Sequence, residues 1–234
     1  MRREAGSEVE GQPLEKFTLV TKWWPYLPDG RTVNLNPAAL RTAVEGSLTR
    51  LRTDRLDVLL FHSVTFPGDV ERLRRGPLWP EIERLKRDGK IRFAGVSNGD
   101  DPPNDRLTEG AREDGFDVLM PEFLLFKQKG TREALPSWRR HGAGVIAIMP
   151  LGQAAWGYGL RDRTYLANSL KTLREKGALP GGPEFEGEHA LDFLLDERSP
   201  TVAAAAIRFC LSFEGIATVC CGTNDPAHLA ENAA

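Results

Sequence analysis

The 234-residue chain carries 31 Lys and Arg residues against 33 Asp and Glu residues, so its formal charge is only −2 at neutral pH. This balance gives no electrostatic reason to expect a nucleic-acid partner or an anionic membrane surface. Hydrophobic residues at 41% are typical of a globular protein, and no apolar run approaches the roughly 18 residues that span a bilayer. Three cysteines and no signal-peptide pattern favour a reduced, cytoplasmic location.

Six apolar runs predict strands, and the segments between them predict helices. The runs occupy residues 17–22, 56–62, 91–98, 116–123, 144–151 and 216–223. Near-continuous apolar runs are typical of strands buried in a parallel sheet. The first helix is predicted to begin at Pro37 with Asn36 as its N-cap, and others are predicted at 80–89, 131–141 and 201–213. Strands alternating with helices predict βα units on a parallel sheet.

The segment from about residue 152 to residue 200 interrupts this alternation. A long insertion after a barrel strand is usually a loop that shapes the pocket. Trp156 in this segment is a candidate for the pocket wall, and ordinary packing explains it equally well. Residues 1–234 are predicted to form a single domain that includes this insertion.

Polar residues stand at the ends of three successive apolar runs. Lys22 ends the first, His62 ends the second, and Ser97 with Asn98 ends the third. Active sites of β/α barrels are built at the carboxyl ends of the strands. The pattern therefore predicts one shared pocket. Taken singly, the lysine is most often a solvated charge, the histidine a structural hydrogen-bonding group, and the Ser-Asn pair a helix cap.

Five segments in this order and spacing carry a family likeness. They are Leu-Val-Thr-Lys at 19–22, Ser-Leu-Thr-Arg-Leu-Arg-Thr-Asp and the following strand at 47–62, Gly-Lys-Ile-Arg-Phe-Ala-Gly-Val-Ser-Asn at 89–98, and the segments at 144–151 and 222–232. With them the chain resembles the aldo-keto reductases. The resemblance implies an α/β fold, the (β/α)8 TIM barrel, and an NADP-dependent oxidoreductase that moves a hydride to or from a carbonyl or alcohol of a small organic substrate.

The resemblance also implies roles for particular residues. Lys22 matches the lysine that lowers the pKa of the family's catalytic tyrosine, and His62 matches the histidine that hydrogen-bonds the substrate carbonyl. The residues that match the NADP site are Ser97, Asn98, Pro150, Leu151, Gly152, Gly222, Thr223, Asn224, His228, Glu231 and Asn232. The candidates for an aromatic substrate pocket are Trp23, Trp24, Phe126 and Trp156. No metal site is predicted.

Several features depart from the family pattern. The first two βα units, with the catalytic tyrosine and its partner aspartate, are expected to be absent, which leaves six recognisable parallel strands. Tyr26, Tyr158 and Tyr165 do not match the missing tyrosine by motif. Met120 stands where the family has a glutamine that binds the carboxamide, and Ile148 where it has an aromatic residue that stacks on the nicotinamide. Each change is expected to cost about 1 kcal/mol of cofactor binding.

Three functions stay open at this point. The density of family motifs favours a redox enzyme. Met120 and Ile148 favour a non-redox biosynthetic enzyme, a dehydratase, isomerase or cyclase with His62 and Lys22 as general acid and base, because a late gene start cannot explain changes inside retained strands. A cofactor-sensing binding protein is the third alternative.

Uncovered sheet edges would also predict self-association into a homo-oligomer.

Overall fold

The computed structural model describes residues 16–98, 105–111, 115–152, 160, 163–177 and 191–233. Among the residues discussed above, Trp156 and Tyr158 lie outside the described residues. For Asn98 and Tyr165 the backbone alone is described. Within the described ranges six strands alternate with helices, as the sequence predicts.

The strands form one sheet whose order follows the order of the chain. They are β1 (Val20–Trp23), β2 (Leu56–Phe61), β3 (Ile91–Asn98), β4 (Val118–Pro121), β5 (Gly144–Ile148) and β6 (Ile216–Cys220). The pairs β1–β2, β2–β3 and β5–β6 are parallel. This confirms the predicted α/β class with six parallel strands.

Only β3 has the bounds predicted from the sequence, and the other predicted strands were too long. Two of the differences have a backbone cause: Ser63 (φ 54°) and Met149 (φ 61°) adopt left-handed conformations close behind β2 and β5. A left-handed residue turns the chain out of the extended ladder. After β5 the apolar pattern, Met149 to Leu151, therefore continues past the point at which the strand ends.

Eight α-helices lie in the described part of the chain. They are α1 (Pro37–Leu51), α2 (Asp69–Arg75), α3 (Leu78–Arg87), α4 (Asp105–Gly110), α5 (Lys129–Arg140), α6 (Arg163–Glu175), α7 (Val202–Leu211) and α8 (Pro226–Ala233). Asn36 caps α1 as predicted, because its side-chain oxygen accepts the N–H of Ala38 at 2.9 Å. Helix α3 begins two residues before Pro80, since a proline in the first turn has no intrahelical N–H bond to lose.

Two aspartates set the register at the amino ends of the strands. The Asp57 carboxylate accepts the backbone N–H of Leu19 at 2.8 Å, and Asp57 N–H donates back to Leu19 O at 2.9 Å. Asp117 makes the same pair of bonds with Ala94, at 2.8 Å and 2.8 Å. Because a parallel register fixed at one end is fixed along the strand, these contacts also determine which residues stand level at the carboxyl ends.

The chain divides into two compact units. The first comprises Met1–Met120 and Pro136–Gly144, and the second Pro121–Leu135 and Val145–Ala234. The core of the first unit contains the fully buried Trp138, whose indole N–H donates to Thr108 Oγ1 at 3.1 Å. The second has a core cluster of Leu151, Leu160, Leu170, Leu191, Ala203, Ala206 and Ile207. The single domain over residues 1–234 stays a prediction.

Gly95 in the middle of β3 allows two neighbouring strands to pack closely. A Cβ atom at this position would lie 2.4 Å from Val118 O and 2.5 Å from Leu60 Cδ2. Real Cβ atoms do not approach other heavy atoms so closely, and the carbonyl belongs to the sheet backbone. The buried Leu60 side chain therefore requires a glycine at position 95.

None of the helices described above combines the length and apolarity that a membrane crossing requires.

Candidate functional site

Three polar side chains share one face of the sheet at the carboxyl ends of β1, β2 and β3. Lys22 pairs with Leu60, and Leu60 pairs with Gly95. Because side chains alternate along a strand, His62 follows Leu60 on that face and Ser97 follows Gly95. The His62 N–H donates to Trp23 O at 2.8 Å, which continues the ladder one residue past β2. The first unit thus brings together Lys22, His62 and Ser97.

His62 is half-buried, whereas Lys22 is exposed. Burial and, second, the positive charge of Lys22 lower the pKa of His62 below its ordinary value of 6.5. Both causes disfavour a second positive charge at this strand end. At neutral pH the imidazole is therefore uncharged, with one nitrogen that donates and one that accepts a hydrogen bond.

Ser97 holds the turn that follows His62. Its hydroxyl oxygen accepts the N–H of Ser63 at 3.2 Å, and its carbonyl accepts the N–H of Val64 at 3.0 Å. Ser63 has a φ of 54°, a conformation that costs a non-glycine residue about 1 kcal/mol or more. The Ser97 side chain is buried at 1% exposure. The hydroxyl acts as an acceptor in this bond, which leaves its proton to be donated to a second partner.

The two tryptophans that follow Lys22 lie in different environments. Trp23 is half-buried, and its ring meets the ring of Phe61 edge-on with centroids 5.7 Å apart. Because alternation places Trp23 on the opposite face from Lys22, it packs away from the polar strand ends. Trp24 is 48% exposed and meets the His62 ring edge-on, with centroids 5.9 Å apart and an interplanar angle of 85°. Of the two, Trp24 flanks the candidate site.

Sequence reasoning missed a buried pair beside this site. The Tyr26 hydroxyl donates to Asp69 Oδ2 at 2.8 Å and accepts the N–H of Thr65 at 2.9 Å. Burial is the main reason that the pKa of Tyr26 rises to about 12. A phenol with so high a pKa is a poor proton donor, so Tyr26 does not replace the family's catalytic tyrosine. Asp69 opens α2 and looks in the sequence like an ordinary first-turn acid.

The second unit carries the residues that follow β5. Gly152 N–H donates to Met149 O at 2.8 Å, and both residues have positive φ angles, 77° and 61°. Pro150 and Leu151 are buried within this turn, and Leu151 belongs to the core cluster of the unit. Phe126, a predicted pocket residue, is half-buried and packs against the same cluster. The contacts that the structure shows for Leu151 and Phe126 are thus packing contacts within this core cluster.

The segment after β6 presents exposed polar groups before α8. Gly222, Thr223 and Asn224 are exposed. Asp225 occupies the helix start, where its carboxylate accepts the Ala227 N–H at 2.8 Å. The other oxygen of that carboxylate lies 3.7 Å from Nε2 of His228. The carboxylate competes with a phosphate for the same N–H groups, so the phosphate donors would be side chains of this segment.

The last predicted cofactor residues lie on α8. The Glu231 carboxylate accepts a hydrogen bond from the hydroxyl of Thr201, which is the N-cap of α7. Asn232 is half-buried on the same helix. In the described structure, Glu231 therefore connects α8 to the start of α7.

The predicted cofactor residues differ in their hydrogen-bonding chemistry. The exposed hydroxyl of Thr223 and amide of Asn224 precede α8, the half-buried imidazole of His228 lies in its first turn, and such groups bind adenosine phosphates well. Met120 and Ile148 are buried at 2% and 7% exposure and offer no hydrogen-bond donor to a nicotinamide. Among the described side chains, no group of three His, Cys, Asp or Glu could hold a metal ion.

Replacing Lys22 with methionine is expected to raise the pKa of His62, because one of its two causes of lowering is removed. Burial persists, so the pKa stays below 6.5. NMR titration of the imidazole protons measures the change, and Lys90→Met, which removes a charge paired with Glu45, is the control. An unchanged His62 pKa in Lys22→Met would place the ammonium too far away to matter.

The lowered pKa of His62 also affects the stability of the folded protein. Because the unfolded chain binds this proton more readily than the folded chain does, His62 favours folding fully above pH 6.5. That contribution is lost as the pH falls through the lower pKa of the folded protein. Lys22→Met makes the pKa difference between the folded and unfolded chain smaller. It is therefore expected to reduce the loss of folding stability that protonation of His62 causes at acid pH.

Comparison with known proteins gives a consistent match. The model of the Aldo/keto reductase family matches residues 2–234. Over 239 residues the chain is 26% identical to the uncharacterized oxidoreductase YqkF of Bacillus subtilis (strain 168), covering 98% of this chain and 73% of that protein. It is also 26% identical to a D-threo-aldose 1-dehydrogenase of a Pseudomonas species, covering 89% of this chain and 60% of that protein. The chain thus spans three-fifths of the second relative.

Solved structures share the fold. The holo form of an aldo-keto reductase from Bacillus halodurans superposes with a TM-score of 0.65 at 23% identity, covering 97% of this chain and 69% of that one. An aldo/keto reductase from Klebsiella pneumoniae in complex with NADP and acetate gives a TM-score of 0.61 at 22% identity, covering 97% and 67%. These similarities confirm the predicted fold class.

Proposed function

Because the chain belongs to the aldo/keto reductase family of oxidoreductases, we propose that it transfers a hydride between a nicotinamide cofactor and the carbonyl or alcohol of a small organic substrate. One observation carries the proposal. An uncharged His62 and a cationic Lys22 end neighbouring strands on the same face of the sheet. Carbonyl reduction needs a hydrogen-bond donor and a positive charge at such a place.

The side chains have separate tasks in this reaction. The donor nitrogen of His62 hydrogen-bonds the carbonyl oxygen and orients it. The Lys22 ammonium stabilises the negative charge that develops on that oxygen and keeps the imidazole uncharged. When bound, the cofactor would supply or accept the hydride, and solvent water would supply or take up the proton at the substrate oxygen. Since a missing general acid costs about 10²- to 10⁴-fold in rate, turnover by the described residues alone is expected to be slow.

The cofactor is proposed to be NADP. Ser97 and Asn98 would bind the carboxamide, and Thr223 and His228 would bind phosphate oxygens. The similarity to the Klebsiella pneumoniae protein, which was solved with NADP, supports this choice. The adenosine end is proposed to contribute most of the affinity, because Met120 and Ile148 weaken the hold on the nicotinamide.

Titration with NADPH, followed by tryptophan fluorescence, tests the proposal. We expect saturable binding below high micromolar concentration, and about tenfold weaker binding in His228→Ala, the loss typical of one charge-assisted hydrogen bond. His141→Ala is the matched control, because His141 is an exposed histidine bonded to its own helix, Nδ1 to Ser137 O at 2.8 Å. Absence of binding by the unaltered chain at high micromolar NADPH would overturn the redox proposal.

A second candidate function has its own supporting observation. Met120 and Ile148 are buried apolar residues within the strands that the family uses to hold the nicotinamide. A non-redox dehydratase, isomerase or cyclase would not need those contacts and would use His62 and Lys22 as acid and base. Such an activity is expected to persist without added nicotinamide and to disappear in both Lys22→Ala and His62→Ala.

The proposed partners are the small-molecule substrate and the cofactor. Self-association also stays a proposal, supported by exposed apolar residues at and before β1, with Phe17 at 42% and Val20 at 37% exposure. A cytoplasmic location remains a prediction from the cysteine content.

A further inference from the structure

The tryptophan beside His62 belongs to a loop, and loops do not by themselves hold a side chain in one place. Trp24 is 48% exposed, yet its ring meets both the His62 ring, at 5.9 Å, and the Tyr26 ring, at 5.3 Å. A large side chain that is half in solvent loses rotational freedom when it is ordered in this way. Some other contact must therefore restrain the loop.

The bonds inside the loop do not provide that restraint. Leu27 N–H donates to Thr32 O at 2.8 Å, and Asn34 N–H donates to Pro25 O at 2.7 Å. Both bonds join one arm of the loop to the other. They give the loop a shape, but they do not attach it to the strand end that carries His62.

The His62 N–H bond to Trp23 O fixes only the backbone just before Trp24. A second attachment, farther along the loop, is made by the hydroxyl of Tyr26. It accepts the N–H of Thr65, three residues after His62, and donates to the carboxylate of Asp69 at the start of α2. The Tyr26 ring also meets Phe66 edge-on, with centroids 5.6 Å apart. One phenol therefore joins the loop after β1 to the segment after β2.

Both side chains of this attachment are buried, and both carboxylate oxygens of Asp69 accept a hydrogen bond. Tyr26 is 5% exposed and Asp69 is 0% exposed. The second carboxylate oxygen of Asp69 accepts from Arg72 at 2.8 Å. Removing the hydroxyl would leave Asp69 without its phenol donor and the Thr65 N–H without its acceptor, and unsatisfied buried groups are costly.

We propose that Tyr26 and Asp69 are positioning residues that hold Trp24 against His62 and so form one wall of the substrate site. The contact between Trp24 and His62 follows from the structure alone, and the role in substrate binding rests on the proposed function. A carbonyl compound bound at His62 would place its flank on the Trp24 ring. Substrates with a flat or apolar flank are therefore favoured.

The test compares Tyr26→Phe and Asp69→Asn with the unaltered protein. The indole of Trp24 shifts the NMR resonances of the His62 imidazole through its ring current, and Trp24→Ala gives the value without it. We expect both variants to move the His62 resonances at least halfway toward the Trp24→Ala value. Asp29→Asn is the control, since Asp29 accepts from Arg31 and Thr32 within the same loop, both at 2.8 Å, and does not touch Tyr26.

Each outcome decides the proposal. Unaltered His62 resonances in a folded Tyr26→Phe or Asp69→Asn protein would overturn it, and so would an equal shift in Asp29→Asn. If one variant does not fold, the other decides. If neither folds while Asp29→Asn does, the pair maintains the whole unit and the proposal also fails. No cofactor or substrate is present, so these results are independent of the redox proposal.

Kinetics add a second readout in a preparation that turns over an aldehyde with an aromatic flank. Tyr26→Phe is expected to raise KM about fivefold, the loss of one aromatic contact, with kcat unchanged. A merely structural role would lower the amount of active protein and thus the apparent kcat, with KM unaltered. That second pattern would contradict the positioning role.

Discussion

Replacing His62 with alanine is expected to lower kcat by about 10²- to 10³-fold, the usual cost of removing one hydrogen-bond donor to a developing oxyanion. The Kd for NADPH is expected to stay nearly unchanged, because His62 is proposed to bind the substrate oxygen. The measurement is loss of NADPH absorbance with a panel of carbonyl compounds.

His141→Ala is the matched control for this experiment as well. His141 is exposed at the end of α5 and bonds to its own helix, so its loss is expected to change neither kcat nor Kd. If His62→Ala kept the turnover of the unaltered protein, His62 would have no part in the reaction. If it abolished NADPH binding together with turnover, the imidazole would belong to the cofactor site.

Replacing Gly95 with alanine is expected to destabilise the protein by about 3 kcal/mol, the upper part of the usual range for overpacking. The new Cβ would lie 2.4 Å from the Val118 carbonyl oxygen, and it cannot move away without separating β3 from β4. Urea unfolding followed by circular dichroism measures the loss as a lower midpoint.

Gly144→Ala makes the same chemical change where there is room. The nearest atom to a Cβ at this position, Asp117 O, is 3.7 Å away. Its effect is expected to stay within about 0.5 kcal/mol. Equal unfolding midpoints for the two variants would mean that β3 and β4 tolerate separation, and the close approach at Gly95 would not matter to stability.

Local signals in the sequence predicted the parts of the fold that depend on neighbours along the chain. Asn36 and Pro37 start α1 because a cap and a first-turn proline act within one helical turn. Strand ends were harder, because the left-handed turn at Ser63 depends on bonds to Ser97, 34 residues later. The residues around position 63 contain no local sequence signal that predicts this contact.

The candidate site was predictable to the same extent. Lys22 and His62 could be placed together from the sequence because parallel strands bring their carboxyl ends to one edge. The Tyr26–Asp69 pair could not, since its partners are 43 residues apart and neither belongs to a recognisable motif. The same limit applies to Glu231, whose bond to Thr201 spans 30 residues.

The sequential order of the sheet has a consequence for how the protein is made. Every strand from β1 to β6 lies next to its neighbour in the chain. During synthesis from the amino terminus, the next strand to be made is therefore always the next partner in the sheet. The strands can pair in the order in which they are made, and the largest loop-closure entropy is expected where β6 pairs with β5 across the long segment between them.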